Sequence, residues 1–173
     1  MNINIFFISI FSALMLIYIF FQPLKIKEQE FKDVPLLVMD NFTMYELQSS
    51  GLQTNMSGSN ALRYSDRYII KNINFTDNSK EFISNMQANS GVYKDEIVDL
   101  RGEVMYTRED GLTFESDTLE YNTKSAIAQT NDDYIAYKGN NSMRGVSFIY
   151  DSLNNTMKSK KVVVKYQLKE SKI

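Results

Sequence analysis

Apolar residues recur at every second position in run after run of this 173-residue chain, a spacing that fits half-buried β-strands. "MDNFTMYEL" sets Met39, Thr43, Tyr45 and Leu47 against Phe42 and Met44, and "ALRYSDRYIIKNINF" puts Leu62, Tyr64, Tyr68 and Ile70 on one parity. "IVDLRGEVMY" does the same with Val98, Leu100, Val104 and Tyr106. "RGVSFIY" follows with Val146, Phe148 and Tyr150, and "VVVKYQL" with Val162, Val164, Tyr166 and Leu168. Turn-forming residues stand between the runs: Ser50-Gly51, Ser57-Gly58, Asp110-Gly111, Tyr121 to Lys124 and Gly139 to Ser142. Alternating runs separated by such breaks predict antiparallel strands joined by hairpins. Only "NSKEFISNMQANSG" hints at a helical turn. The expectation is an all-β, mostly antiparallel domain over residues 36–173.

The first residues follow another rule. Ile3 to Phe21 carry no charge, and at about 1.5 Å per residue such a run spans roughly 30 Å as a helix, the thickness of a bilayer core. Pro23 biases Gln22 away from helix and ends the segment. The run is longer than a signal-peptide core and has neither a basic flank before it nor a small-x-small site after it. Residues 1–23 therefore read as one uncleaved transmembrane anchor, and 24–35 as a polar juxtamembrane linker. Lys25, Lys27 and Lys32 follow the span, so charge alone would hold the large domain in the cytoplasm.

Composition removes most chemistry. Without cysteine or histidine the chain has no thiolate or imidazole ligands for zinc and no Cys or His for nucleophilic catalysis. A net charge of −2 gives no polyanion-binding signature. No glycine-rich phosphate loop and no calcium-loop spacing occurs. Acidic pairs stand at Glu109-Asp110, Glu115/Asp117 and Asp132-Asp133; a glycosidase needs two carboxylates facing each other across a cleft, and solvated strand-edge charge is the simpler account. The expectation is a non-enzymatic protein with no cofactor and no metal.

What remains is an apolar face. Its candidates are Leu62, Tyr64, Tyr68, Val98, Leu100, Val104, Tyr106, Phe114, Leu119, Val146, Phe148, Val162 and Val164. Periodicity fits equally a packed core between sheets and an open groove for acyl chains, because both need the same face. A faint echo adds to it: "GLTFESDTLEYN" from Gly111 and "GVSFIYDSLNN" from Gly145 share Gly, Phe and Asp in order, as a duplicated strand-turn unit would.

In order along the chain, a lone N-terminal span is followed by "GLQTNMSGSNALRY", "MQANSGVY", "VDLRGEVMY", "DGLTFESDTLEYN", "SAIAQT" and "MRGVSFIYD". This succession resembles the LptC family, the bitopic inner-membrane component of bacterial lipopolysaccharide export, best between Met86 and Val164. Leu100-x-Gly102-x-Val104, then Gly111, Phe114, Asp117, Leu119 and Tyr121, then Gly145, Phe148 and Asp151 carry the likeness. The resemblance implies an antiparallel β-jellyroll of twisted-boat type with an apolar interior, placed in the periplasm. It implies a carrier that accepts lipopolysaccharide from an ATP-binding-cassette transporter and passes it to a periplasmic bridge protein of the same fold. The alternative is a tethered β-domain that scaffolds protein partners without lipid. On the carrier reading, Val163, Val164 and Lys165 lie on the edge strand facing the bridge protein. Met39, Phe42 and Tyr45 lie on the edge facing the transporter's own β-domain.

Overall fold

The computed structural model describes residues 3–20, 34–49 and 51–168. The chain divides into two compact units, Met1–Phe31 and Lys32–Ile173. In the first, α1 (Ile3–Phe20) is an 18-residue helix, uncharged and apolar around its circumference. At 1.5 Å per residue it measures about 27 Å, a little short of the roughly 30 Å of a hydrocarbon core. Among the described residues no helix is long and apolar enough to cross a membrane. The remainder of the expected anchor, Phe21 to Pro23, and most of the expected linker lie outside the described residues.

The second unit is one sheet of nine strands: β1 (Leu37–Gln48), β2 (Gly51–Arg63), β3 (Tyr68–Asp77), β4 (Ser84–Lys94), β5 (Ile97–Arg108), β6 (Leu112–Asn122), β7 (Ile127–Lys138), β8 (Asn141–Asp151) and β9 (Thr156–Lys165). Spatial order equals chain order, and every neighbouring pair is antiparallel. The topology is thus a simple meander, with none of the long crossovers of the double Greek key that the word jellyroll denotes in the strict sense. Short turns make the meander inevitable: at the β5–β6 hairpin Gly111 takes φ +86°, and Asp110 accepts hydrogen bonds from Arg108 (2.8 Å) and Lys138 (2.6 Å). Those cations hold the Asp110 carboxyl well below the usual carboxylate range, Arg108 contributing most.

Two local expectations are corrected. The stretch that hinted at a helical turn forms bends and then β4, whose Met86 and Ala88 supply apolar side chains to the core. Ser57-Gly58 is no turn but the middle of β2, where a Cβ on Gly58 would meet Phe42 Cε1 at 2.8 Å and Ile70 Cγ2 at 2.9 Å.

The sheet is not flat. Near the middle of the strands runs a transverse line of irregular residues: left-handed φ at Asn41 on β1, Asn72 on β3, Gly102 and Glu103 on β5, Ser147 on β8 and Lys161 on β9. Register shifts mark the same level at Gln87/Ser90, Arg101/Val104, Ser116/Glu120, Thr130/Asp133 and Arg144 to Phe148. Extra residues of this kind bend a strand and raise its twist. The sheet folds along the line, so that Phe114 on one side of it and Phe148 on the other bring their ring centroids to 4.9 Å.

The line also resets side-chain alternation. On β6 the core takes Phe114 and Ser116 before it and Leu119 after it; on β8 it takes Met143 and Gly145, then Phe148. On β5, Leu100 and Val104 keep one parity because Gly102 and Glu103 together stand opposite the single Asp117. Gly102 has φ +76°, and a Cβ there would meet Asn89 Nδ2 at 2.8 Å, whereas Gly139 (φ +58°) opens to empty space. A left-handed L-residue costs about 1–2 kcal/mol. Gly139→Ala should therefore lower unfolding free energy by about that amount, and Gly102→Ala by clearly more, measured by urea titration of tyrosine fluorescence.

Candidate binding face and sheet edges

Following partners from strand to strand resolves the inner face into rows. The first runs Leu37, Arg63, Tyr68, Tyr93, Val98, Tyr121, Ala128, Tyr150, Met157. The second begins Met39, Ala61, Ile70, Gly91, Leu100, Leu119, and on β7 to β9 Thr130, Phe148 and Ser159 are successive partners. Beyond the bend, Val104, Ser116, Tyr134 and Gly145 form a third. The fourth is apolar or aromatic on all nine strands: Met44, Met56, Phe75, Met86, Tyr106, Phe114, Ala136, Met143, Val164.

Packing across the bend closes the middle of these rows. Leu100 and Val104 are almost wholly buried, and Phe114, Tyr134 and Phe148 form a ring cluster with centroids 4.9 to 5.5 Å apart. The Tyr134 hydroxyl donates to Ser159 Oγ at 2.9 Å, which satisfies its polar end inside that cluster. The ends are open. Along the fourth row exposure goes from 53% at Met44 through 7% at Phe114 to 62% at Val164. Leu37 and Met157, which end the first row, are likewise exposed.

Of the residues expected on the inner face, Tyr68, Val98, Leu100, Val104, Tyr106, Phe114, Leu119, Phe148 and Val164 stand in these rows. Val162 shares the side of Val164 and is exposed. Leu62, Tyr64 and Val146 do not. Ala61, not Leu62, is the buried residue of its pair, and Leu62 stands opposite Val38 and Ile69 on the other face. Tyr64 lies beyond the end of β2 with the Arg67 guanidinium 4.2 Å over its ring. Val146 follows the buried Gly145 and lines a hollow of about 950 Å³ together with Glu115, Arg144 and Lys161.

Residues the alternation missed include Ile73, Met86, Tyr134 and Met143. Tyr134 was hidden by the polar "TNDD" ahead of it, which is the bulge that carries β7 across the bend. The echo between Gly111 and Gly145 is not a structural repeat, since Gly111 sits in a turn and Gly145 inside β8.

At the edges, among the described residues, β1 hydrogen-bonds only to β2 and β9 only to β8. Met39 and Phe42 face inward and Tyr45 outward on β1; Val163 and Lys165, opposite Arg144 and Ser142, face outward on β9. Two of the acidic candidates are held by the scaffold: Glu115 accepts from the Tyr137 phenol at 2.7 Å, and Glu109 from the Ile83 amide at 3.0 Å. The neighbouring carboxylate pushes the Tyr137 phenol up. Among the described residues no group of three or more acidic side chains is placed to hold a metal ion.

Against known proteins, the family described as "Lipopolysaccharide-assembly, LptC-related" matches residues 5–166. The chain belongs to the LptC-related family. Its fold is also that of a solved structure, the crystal structure of LptH, described as the LptA-homologous periplasmic component of the lipopolysaccharide transport device of Pseudomonas aeruginosa. The two share 12% identity at a TM-score of 0.52, over 80% of this chain and 99% of that one. No curated protein matches the sequence. Membership of the LptC-related family places the chain in lipopolysaccharide transport.

One row with a closed middle and open ends makes unequal demands on its members. Phe114→Ala should cost about 3–5 kcal/mol of stability. Val164→Ala, on the same row but largely exposed, should cost less than about 0.5 kcal/mol. Urea unfolding of the two variants checks the contrast.

Proposed function

We propose that this chain is a membrane-anchored, non-enzymatic carrier that accepts lipopolysaccharide from an inner-membrane ATP-binding-cassette transporter and passes it to a periplasmic bridge protein of the same fold. The observation that carries the proposal is the fourth inner row, apolar on every strand and uncovered at both edges. Acyl chains are held by apolar area, worth about 25 cal/mol per Å² removed from water, and need no directed polar contact. A row that leaves the sheet at both sides gives such chains an entrance and an exit. The unpaired backbone of β1 and β9 gives each neighbour a strand to join. On this reading Met39, Phe42 and Tyr45 meet the transporter's β-domain, and Val163, Val164 and Lys165 meet the bridge protein.

The apolar run from Ile3 to Phe21 is the single-pass anchor in this proposal, 24–35 its linker, and 36–173 the periplasmic domain. Support comes from the uncharged α1 and from the family match, which takes in most of that helix. Export is driven by the transporter's nucleotide hydrolysis, so the carrier supplies only a path.

Photo-crosslinking in cells tests the path, with the probe at Phe114 facing inward and at Glu115 facing outward. An adduct with lipopolysaccharide at Phe114 and none at Glu115 is expected. No adduct at Phe114 or Phe148, from folded and inserted protein, would favour a β-domain that organises protein partners and holds no lipid.

A further inference from the structure

An arginine bounds the inner face at each end of the strands, and the two are held differently. Beyond the fourth row Glu46, Thr54, Asp77, Ser84 and Arg108 are successive partners, and there Asp110 accepts from Arg108 at 2.8 Å and from Lys138 at 2.6 Å. At the other end Arg63 stands in the first row between Leu37 and Tyr68. It is exposed, and among the described residues no carboxylate pairs with it. Asp66, just past the end of β2, is already taken: one of its oxygens accepts from Arg67 at 2.8 Å and the other from Lys94 at 3.0 Å. Those cations hold the Asp66 carboxyl below its ordinary value, Lys94 contributing most. Arg63 lies instead over the Tyr68 ring, 5.6 Å from its centroid, and the Tyr68 and Tyr93 rings stand 6.2 Å apart. Among the described members of the four rows Arg63 is the one charged side chain.

The geometry points to Arg63 as the residue that fixes the polar end of the carried lipid, through an oxyanion on its headgroup, a phosphate ester or the carboxylate of an acidic sugar. The inference rests on the carrier reading and adds to it where the headgroup sits and which chemistry holds it. A lipid whose acyl chains lie on apolar rows leaves its polar end where those rows stop. The first row is that limit: Tyr68, Tyr93, Tyr121 and Tyr150 occupy it on four of the nine strands, and the Tyr68 and Tyr93 rings are 42% and 41% exposed. A tyrosine has an apolar body and a polar tip, which suits a boundary between hydrocarbon and sugar. The guanidinium offers parallel N–H donors in a planar fork that matches an oxyanion. Its place over Tyr68 orients that fork without consuming an N–H group. The far end has no equivalent, because Arg108 Nε and Nη2 both donate to Asp110 at 2.8 Å.

Binding of fluorescein-labelled lipopolysaccharide to the full chain in nonionic detergent, followed by anisotropy, tests it with three preparations: native, stripped of phosphate, and methyl-esterified at its carboxylates. Arg63→Gln should raise Kd for the native preparation about tenfold, the scale of a hydrogen bond to a charged group. Arg63→Lys, which keeps the charge and loses the fork, should fall between. Lys71→Gln makes the same change of charge on the opposite side of the sheet, where Lys71 partners Asn60, and should leave Kd unchanged. The Arg63→Gln effect should vanish on the stripped preparation if the oxyanion is phosphate, and on the esterified one if it is carboxylate. The inference is overturned if Arg63→Gln binds native lipopolysaccharide as tightly as the unaltered chain. An equal loss on all three preparations, which a merely structural role would give, overturns it too. Failure of the unaltered chain to bind any preparation overturns the carrier reading and this inference together, whereas tight binding indifferent to Arg63 overturns this inference alone.

Discussion

A sheet that bends has to place residues where L-amino acids are least comfortable. Five of the nine strands carry a left-handed residue near their midpoint, and all but Gly102 bear a side chain. Each such non-glycine residue costs about 1–2 kcal/mol. The return is burial. A single meander offers its apolar face nothing to pack against, because among the described residues of this unit there is no second sheet or layer of helices, the usual partner. Folding the sheet on its own midline makes each half the partner of the other, and the Phe114, Tyr134 and Phe148 rings meet across it. The core, the curvature and the direction of every inward side chain follow from that one line.

The same line explains what could be foreseen. Strand identity was legible because period two survives within each half strand, and the hairpins at Asp110-Gly111 and Gly139 were written in turn residues. Parity was not, because it resets in mid-strand. Counting through the bend led to Val146, where the inward residues are Gly145 and Phe148. On β2 the bulk of Leu62 drew attention from the smaller Ala61, which is the buried one. Asn41 and Asn72 belong to the residue type that tolerates a left-handed backbone, but Glu103, Ser147 and Lys161 do not announce themselves. Ser57-Gly58 looked like a turn for the reason that it is useful inside β2: a glycine lets Phe42 and Ile70 approach the backbone.

An internally satisfied domain would normally blunt its edge strands with proline, bulges or charge on the inward side. Here the inward side of both edges is largely apolar and exposed, while Asp40 on β1 and the lysines of β9 stand on the outward side. That arrangement suits a segment of a longer assembly, in which an apolar path runs from sheet to sheet. It also suits the LptC-related family, since moving a lipid across an aqueous space requires continuous apolar contact with no catalysis along the way.

The central claim is that acyl chains travel on the inner rows. The chain contains no tryptophan, so a single one can be placed at will. Phe148→Trp puts it on the inner face and Ile149→Trp, one residue on, puts it on the outer face. The measurement is quenching of each by lipopolysaccharide whose acyl chains carry bromine, with the full chain held in detergent. Quenching at position 148 with little at 149 is the predicted result; equal quenching at both, or none at 148 under conditions where lipopolysaccharide binds, would contradict the account.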